Sequence, residues 1–323
     1  MSHKQAINSN LTGGKVLGSG ADGCVIDPVI PCKDDPDNNE KVSKLMTGSD
    51  ANLKDIEMKI GKKLKKIDPK NFYFIYPEFV CKVKKNDIGW LEDEKLKCGH
   101  LLKDQIVYNL IMPRGDITLR EAYRQHNFKT RETLKLILHL LYGCELLLKH
   151  ELSHFDIKAD NIVMVDDKDK FRPVMIDLGR FAISNLKEYR NLILATKDSY
   201  HWPMEVYFSM PSQRKNIVET IHNSLDKYIK KTSFQEFTDR VMVYLIGKMI
   251  SGLDRSPDNT TDTLKKLYGD MGSENPWRRP TVRQCILRVR ASLKRGNNTI
   301  HKDTTPQKLD IDAEKIKSVR KQD

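Results

Sequence analysis

The stretch HFDIKADN, His154–Asn161, decides how the rest of this chain is interpreted. It places an aspartate, Asp156, two residues before Lys158 and five before Asn161. A carboxylate can accept or orient the proton of a hydroxyl group, an ammonium can neutralise charge on a phosphoryl group, and an amide oxygen can bind a metal ion. Ordinary loop residues would explain each side chain singly, but not the order and spacing of all three.

A second acidic motif follows this stretch. The sequence first predicts a β-hairpin with strands over Ile162–Val165 and Val174–Ile176, and then gives DLG, Asp177–Gly179. Mg²⁺ prefers oxygen ligands, and one aspartate plus one asparagine suffice when water and phosphate oxygens complete the shell. Asn161 and Asp177 are therefore the candidate metal ligands.

A glycine-rich segment near the N-terminus supplies a candidate phosphate loop. GSGADGCV, Gly18–Val25, fits the pattern G-x-G-x-x-G-x-V. The pattern alone also marks dinucleotide sites and ordinary turns. Here apolar residues flank it on both sides, which predicts a strand–turn–strand hairpin whose backbone N–H groups can approach an anion. The candidate nucleotide-binding residues in it are Gly18, Ser19, Gly20, Ala21, Asp22, Gly23 and Val25.

Lys44 is the candidate lysine for the nucleotide phosphates. It lies in the short alternating run Lys41–Met46, which predicts a strand, and a helix is expected over residues 49–68. Glu57 in that helix could form an ion pair with Lys44, although Asp55 is an alternative partner. Taken alone, Lys44 is better explained as a solvated surface lysine, and only the flanking apolar residues and the glycine-rich segment before it favour a functional role.

The hydrophobic pattern changes along the chain. Up to residue 112 it predicts strands with one helix, including an aromatic strand over Asn71–Val80 and a charged, cysteine-containing excursion over residues 81–104. From Thr118 the pattern is mostly helical, and the strongly apolar run Arg131–Lys149 predicts a buried helix.

Together, these motifs resemble the signature set of eukaryotic-type Ser/Thr protein kinases. Two further pieces extend the resemblance: WPME, Trp202–Glu205, resembles the kinase Ala-Pro-Glu, and Arg279 resembles the late arginine that pairs with that glutamate. The similarity runs from Leu11 to about Leu293. Glu205 and Arg279 are accordingly expected to have structural roles.

The resemblance implies a fold class and a set of roles. We expect an α+β, bilobal protein-kinase-like fold, with a small β-rich N-lobe (about 12–112) and a larger helical C-lobe (about 116–295). A polar arm (1–11) and a polar tail (296–323) flank the domain. ATP and Mg²⁺ are the implied cofactors, and Asp156, Lys158 and Lys44 the catalytic residues. Met112 is expected behind the adenine, next to a hinge at 113–115.

Several positions depart from the kinase pattern. Phe155 replaces the arginine that normally grips an activation-loop phosphate, so dependence on loop phosphorylation is not expected. Leu178 and Met204 are further substitutions within motifs. Met242 lies where a kinase helix usually begins with an aspartate that anchors the catalytic loop, and Asp239 comes three residues too early.

Four shorter runs resemble the divergent kinases encoded by large double-stranded DNA viruses of eukaryotes. They are GGKVLGSGADGCV, IPCKD, KVSKLM and IDPKNFYFIYPE. This resemblance implies synthesis in the cytoplasm of an infected host cell and packaging into virions.

Composition limits the partners. The chain has 323 residues and a net charge of +12. This charge is compatible with binding acidic segments of protein substrates. Because the sequence contains no nucleic-acid recognition motif, we expect no specific nucleic-acid partner. It contains no apolar run long enough for a membrane span and no N-terminal signal pattern. We therefore expect the six cysteines to be free thiols; Cys81, Cys98 and His100 fit no zinc template.

Three alternative functions remain open at this stage. A pseudokinase or scaffold of the same fold would bind no Mg-ATP. A kinase-like enzyme that phosphorylates small molecules would usually lack the pair formed by Glu205 and Arg279. A basic nucleic-acid-binding protein would retain DNA in a salt-dependent way, and no motif supports it.

Overall fold

The computed structural model describes residues 15–20, 23–32, 40–47, 51–92, 98–103, 106–166, 171–177, 182–183, 203, 227–228, 231–253 and 261–295. They divide into two compact units. The first contains the described residues up to Lys62 together with Tyr76–Arg114, and the second contains Lys63–Ile75 and the described residues from Gly115 onward.

The first unit is built on a five-stranded antiparallel sheet with the strand order β1-β2-β3-β5-β4. In β2 the buried residues alternate with half-buried ones, and in β3 five consecutive residues are buried, as expected for a central strand. The strands are β1 (Lys15–Gly20), β2 (Gly23–Asp27), β3 (Lys41–Thr47), β4 (Phe79–Lys84) and β5 (Ile106–Pro113).

Helix α1 (Ala51–Ile67) follows β3 and approaches the backbone after residue 75 very closely. A Cβ atom at Gly61 would lie 2.7 Å from the carbonyl oxygen of Pro77. The apolar residues Ile60 and Leu64 are buried beside it. Gly61, which interrupts the apolar pattern of the helix, is thus the residue that allows this contact.

The cysteines correct our expectation of free thiols. Two disulfides, Cys24–Cys98 and Cys32–Cys81, cross-link the first unit, with Cα–Cα distances of 6.1 and 6.0 Å. Cys144 and Cys285 are free and buried. The expectation was wrong because it rested on the absence of a signal pattern, whereas pairing depends on which Cβ atoms the sheet brings together.

The excursion between β4 and β5 begins later than expected. Residues 81–84 belong to β4 and pair with β5, so the excursion starts at Lys85. It contains two 3₁₀ segments, Lys85–Glu92 and Gly99–Lys103. Its buried side chains Ile88, Leu91 and Leu101 join the apolar core of the sheet.

The second unit is mainly helical, with two small sheets of order β6-β8-β9 and β10-β7. The expected hairpin is present as β8 and β9, although β9 begins at Phe171. The elements are β6 (Ile117–Thr118), α2 (Leu119–Gln125), α3 (Thr130–Lys149), β7 (Ser153–His154), β8 (Ile162–Asp166), β9 (Phe171–Met175), β10 (Ala182–Ile183), α4 (Phe234–Leu253), α5 (Asp262–Met271) and α6 (Val282–Arg295).

Helix α3 forms the centre of the second unit. Most of its residues are buried, as its apolar sequence predicts, and it packs against α4, α6 and β9. No helix within the described ranges is both long and apolar enough to cross a membrane.

The aromatic run expected to form a strand over Asn71–Val80 is not one before Phe79. The Asp68 carboxylate accepts hydrogen bonds from the backbone N–H groups of Phe72, Tyr73 and Phe74, at 2.9, 2.7 and 3.0 Å. These bonds close a turn after α1, leaving only a single bridge between Phe74 and Met175. A local side-chain cap therefore overrides the strand propensity of the aromatic residues.

Candidate active site

Asp156 is the centre of the candidate catalytic loop. Its side chain is only 3% exposed, and its Oδ2 atom lies 2.7 Å from Lys158 Nζ. The same oxygen accepts a hydrogen bond of 2.6 Å from Asn161 Nδ2. The 3₁₀ turn Ala159–Asn161 brings Asn161 back towards Asp156. A carboxylate held from two sides in this way has a fixed orientation towards any group that binds beside it.

The fold brings the backbone of Asn161 next to that of Ile176, the residue before Asp177. Asn161 Nδ2 also donates to the Asp156 carbonyl, so the amide nitrogen faces the loop and Oδ1 is its other end. The backbone N–H of Ile176 donates to the Asn161 carbonyl at 2.9 Å, which places Asp177 immediately next to this contact. Asp177 itself adopts a positive φ of 60°. An amide oxygen and a carboxylate are a donor set that suits Mg²⁺.

The candidate catalytic loop is anchored to α4 by weakly polar and apolar contacts. The backbone N–H of His154 donates to the thioether sulfur of Met242 at 3.3 Å. Phe155 is fully buried, with its ring 6.4 Å from that of Phe237. Thus Met242 supplies an acceptor where kinases usually have an aspartate, and Phe155 packs into the unit rather than presenting a charge.

His154 is held in its neutral form. Its imidazole is completely buried, and this burial lowers its pKa to about 4, although the nearby carboxylates of Asp156 and Asp177 act in the opposite direction. The loop therefore carries no imidazolium charge at neutral pH.

A salt bridge that the sequence did not predict fixes the 3₁₀ turn of the loop. The guanidinium of Arg120 binds the Asp160 carboxylate at two points, 2.6 and 2.7 Å. This bond lowers the pKa of Asp160 and raises that of Arg120. Arg120 is positioned by α2, which begins at a capping box formed by Thr118 and Glu121.

In the first unit, Lys44 is buried and paired. Its Nζ lies 2.7 Å from Glu57 Oε1, and the two side chains are 10% and 7% exposed. The alternative partner, Asp55, is largely exposed and lies 2.6 Å from Lys54 instead. Lys44 is therefore not a solvated surface lysine, and Glu57 is its partner in α1.

The glycine-rich hairpin is formed by β1 and β2, with Ser19 opposite Cys24 and Gly20 opposite Gly23. Gly23 has a φ of +146°, and a Cβ atom there would collide with the carbonyl oxygen of Leu45 in β3. A Cβ atom at Gly18 would meet no atom of the described residues within 4 Å. Gly23 is thus required by the packing of the sheet, whereas no described neighbour restricts Gly18.

The strand pairing in the sheet gives the positions of the other candidate nucleotide-binding residues. Val25 lies opposite Lys44, and Met112 at the end of β5 lies opposite Val42 in β3. After Met112, the guanidinium of Arg114 lies 2.7 Å from the Asp27 carboxylate. Ala21 and Asp22, which separate β1 from β2 in the sequence, lie outside the described residues.

Arg279 is a buried structural residue of the second unit. Its side chain donates to the carbonyl oxygens of Ser273 and Arg240, at 2.9 and 3.3 Å, and its guanidinium lies 4.7 Å from the centre of the Tyr244 ring. Its expected partner, Glu205, is outside the described residues, so their pairing stays a prediction.

Comparison with solved structures identifies the fold. The chain is similar to the crystal structure of the kinase domain of PknI from Mycobacterium tuberculosis, in a doubly mutated form, with a TM-score of 0.50. The two sequences are 11% identical, and the similarity covers 86% of this chain and 95% of that one. The α+β, bilobal protein-kinase-like fold expected from the sequence is confirmed. No protein-family model matches the chain, and no curated protein matches it.

Proposed function

We propose that this protein is a Mg-ATP-dependent protein kinase that transfers the γ-phosphoryl group of ATP to serine or threonine hydroxyls of protein substrates. The observation that carries this proposal is Asp156, a nearly buried carboxylate held by both Lys158 and Asn161. The two donors fix the orientation of the carboxylate, as a group that orients a substrate hydroxyl requires.

In the proposed reaction, Asp156 orients the substrate hydroxyl and accepts its proton as the oxygen attacks the γ-phosphorus. The side chain of Lys158 is 41% exposed, so its ammonium can shift from Asp156 to the transferred phosphoryl group without losing a buried position. Catalysis then consists mainly of positioning and charge neutralisation. A lysine two residues after the aspartate also favours serine and threonine over tyrosine.

We assign nucleotide binding to residues of the first unit. Lys44 would bind the α- and β-phosphates, oriented by its ion pair with Glu57. The backbone of Gly18–Gly23 would cover the phosphates, and Val25 and Met112 would contact the adenine. The surroundings of Gly18 are compatible with this role, because no atom among the described residues lies within 4 Å of the position of a Cβ.

We assign metal binding to Asn161 Oδ1 and the carboxylate of Asp177. Bound Mg²⁺ would neutralise charge on the phosphates. The hydrogen bonds of Asn161 Nδ2 to Asp156 suit this assignment, because they engage the nitrogen end of the amide and leave the oxygen end for a cation. No cluster of three or more histidine, cysteine or acidic side chains forms a metal site in the described part of the chain, so the bound phosphates would complete the shell.

The same proposal includes the substrate preference and location. Exposed lysines on α1, among them Lys59, Lys62, Lys65 and Lys66, would favour acidic segments in protein substrates. Similar turnover of acidic and basic model peptides would contradict this preference. The viral resemblance, a host-cytoplasmic location and packaging into virions are likewise proposals. The two disulfides give the location no support, because disulfides are rare in cytosolic proteins.

The experiment is to incubate the purified protein with Mg-ATP and a mixture of unmodified proteins, and to map phosphorylated residues by mass spectrometry. We expect phosphoserine and phosphothreonine, absent when EDTA is added. Binding of Mg-ATP without any phosphoprotein would favour a pseudokinase or a small-molecule phosphotransferase. Absence of both binding and transfer would contradict the proposal.

A further inference from the structure

The Cys32–Cys81 disulfide lies next to the residues that support the glycine-rich hairpin. Residues 28–32 follow β2 and are held at three points. The backbone N–H of Ile30 donates to Ser43 Oγ at 2.7 Å, and the carbonyl of Ile30 accepts from Asn109 Nδ2 at 2.8 Å. The third point is the covalent bond from Cys32 to Cys81 on β4.

This segment is coupled to the proposed nucleotide site through the sheet. Ser43, which binds the backbone of Ile30, immediately precedes Lys44, and Asn109 lies opposite Leu45 in the register of β3 and β5. Leu45 supplies the carbonyl oxygen against which Gly23 packs. A loosening of residues 28–32 therefore acts directly on β2 and on the strand that carries Lys44.

The two disulfides differ in their access to a small thiol. Cys24 and Cys98 are completely buried in the apolar core of the first unit. Cys81, in contrast, is half-buried, so the Cys32–Cys81 pair has one end that the protein does not fully enclose. Thiol–disulfide exchange requires in-line access to a sulfur, so the Cys32–Cys81 bond is the one that exchanges first.

Asn109 provides a polar setting for the reduced form. Its Nδ2 lies 3.8 Å from the sulfur of Cys32 and 3.9 Å from that of Cys81. After reduction, each sulfur is a thiol or thiolate beside this amide N–H donor, and a thiolate is the stronger acceptor. The amide therefore favours the reduced state relative to a purely apolar site.

We propose that the Cys32–Cys81 disulfide is a redox latch whose reduction weakens nucleotide binding, while Cys24–Cys98 is a structural cross-link. A glutathione thiolate attacks Cys81 Sγ, forms a mixed disulfide and releases Cys32 as a thiolate. A second glutathione then releases Cys81 and leaves with the first as glutathione disulfide. The two cysteines gain two electrons and two protons in all, and glutathione disulfide reverses the reaction.

The effect on ATP follows from preorganisation. When the Cys32–Cys81 disulfide is intact, residues 28–32 are already fixed before Mg-ATP binds. When it is reduced, part of the binding free energy is needed to order these residues. This inference rests on the proposed function, since it concerns the same nucleotide site. We expect the dissociation constant for Mg-ATP to rise about fivefold or more on reduction.

The test uses the full chain oxidised with glutathione disulfide and then treated with dithiothreitol. Alkylation and peptide mass spectrometry follow which cysteines become free, and isothermal titration gives the Mg-ATP dissociation constant in each state. We expect Cys32 and Cys81 to be released before Cys24 and Cys98, and nucleotide affinity to fall with that first step. The paired variant Cys32→Ser with Cys81→Ser should bind ATP as weakly as the reduced wild type, and Cys285→Ser should respond as the wild type does.

Two results overturn the redox inference: a different disulfide pairing in the oxidised chain, or equal ATP affinity in the oxidised and reduced states. A disulfide-bonded chain that binds Mg-ATP in neither state instead contradicts the proposed function. Hydrogen exchange of residues 23–32 then decides the redox inference, because the latch requires faster exchange after dithiothreitol and unchanged exchange overturns it.

Discussion

At the scale of single residues, the candidate site contains charges that are buried as pairs. Lys44 and Glu57 are both almost inaccessible to water, and their ionic contact is 2.7 Å long. Burial of an isolated charge costs several kcal/mol, so the pair persists only because each partner neutralises the other. Such an arrangement is a costly way to stabilise a sheet and a helix, and it makes sense as the means of holding an ammonium in place.

We predict that Lys44→Met reduces kcat/KM for phosphoryl transfer by about 100-fold or more, because the phosphates lose their fixed ammonium. Lys41→Met is the matched control: Lys41 is on the same strand and its ammonium lies 3.5 Å from the Glu78 carboxylate, but this partly buried ion pair has no proposed role in transfer. The control should retain activity within about threefold, because its loss affects the sheet and not the phosphates. Equal losses in steady-state assays of the two variants would show that Lys44 has no special role.

At the scale of secondary-structure elements, two contacts support the candidate site. A substitution at each contact can be compared with a matched substitution elsewhere on a helix. The first is the approach of α1 to Pro77 at Gly61. The second is the bond from His154 to Met242 on α4. Neither contact involves a proposed catalytic group, so both test the scaffold rather than the chemistry.

Gly61→Ala should destabilise the protein by about 1–3 kcal/mol, although alanine is the better helix former, because the new methyl group meets a backbone carbonyl that cannot move away. Gly269→Ala on α5 is the control. Among the described residues outside its own stretch of helix, no atom lies within 4 Å of the added Cβ. The control should stabilise by up to about 1 kcal/mol, the difference in helix propensity. Equilibrium unfolding in urea measures both, and a stabilising effect of Gly61→Ala would contradict the described packing of α1.

Met242→Leu should lower kcat by about tenfold while the ATP dissociation constant stays unchanged. Leucine keeps the volume but leaves the buried N–H of His154 without its acceptor, at a cost of about 1–3 kcal/mol that falls on the catalytic loop. Met249→Leu, also buried on α4, is the control and should keep the wild-type kcat. If both variants lower only the melting temperature, Met242 has a packing role alone.

The sequence predicted those elements whose residues carry a local signal. The apolar run of α3, the hairpin of β8 and β9, and the β1–β2 turn followed from periodicity and glycine spacing. The strand expected over residues 71–78 failed because the Asp68 carboxylate closes a turn there. That bond could have been suspected, since an aspartate before proline often accepts backbone N–H groups, but propensity favoured a strand.

In the candidate site, too, only the contacts between residues close in sequence could be predicted. The spacing of Asp156, Lys158 and Asn161 predicted a cluster that the structure brings together on one carboxylate oxygen. Contacts between residues far apart in sequence gave no such signal. Arg120 and Asp160 are 40 residues apart, and the paired cysteines are 74 and 49 residues apart, so their partners emerge only once the fold brings them together.

At the scale of the whole molecule, acid stability should reflect how the helices of the second unit are joined. The Asp239 carboxylate on α4 accepts a hydrogen bond of 2.7 Å from the backbone N–H of Val282 at the start of α6. Burial raises the pKa of Asp239 to about 6, although this hydrogen bond and Arg240 act to lower it. Between pH 4 and 6 the folded chain therefore binds more protons than the unfolded chain, and stability falls as the pH rises through this window.

Asp239→Asn removes this titration, because asparagine keeps the acceptor oxygen but carries no charge at any pH. We predict that the melting temperature of the variant, relative to that of the wild type, increases from pH 4 to pH 7. Thermal melts at four pH values across this range measure the difference. A difference that does not change with pH would show that Asp239 does not titrate in this window.

The central claim is that Asp156 makes this chain a phosphotransferase, and Asp156→Asn tests it most directly. Asparagine keeps the size of the side chain but cannot accept the hydroxyl proton. The measurement is transfer of labelled γ-phosphate to protein serine and threonine, with the Mg-ATP dissociation constant measured on the same samples. We predict that transfer falls at least about 1000-fold while ATP still binds within about threefold of the wild-type affinity. Near-native transfer by the variant would contradict the account.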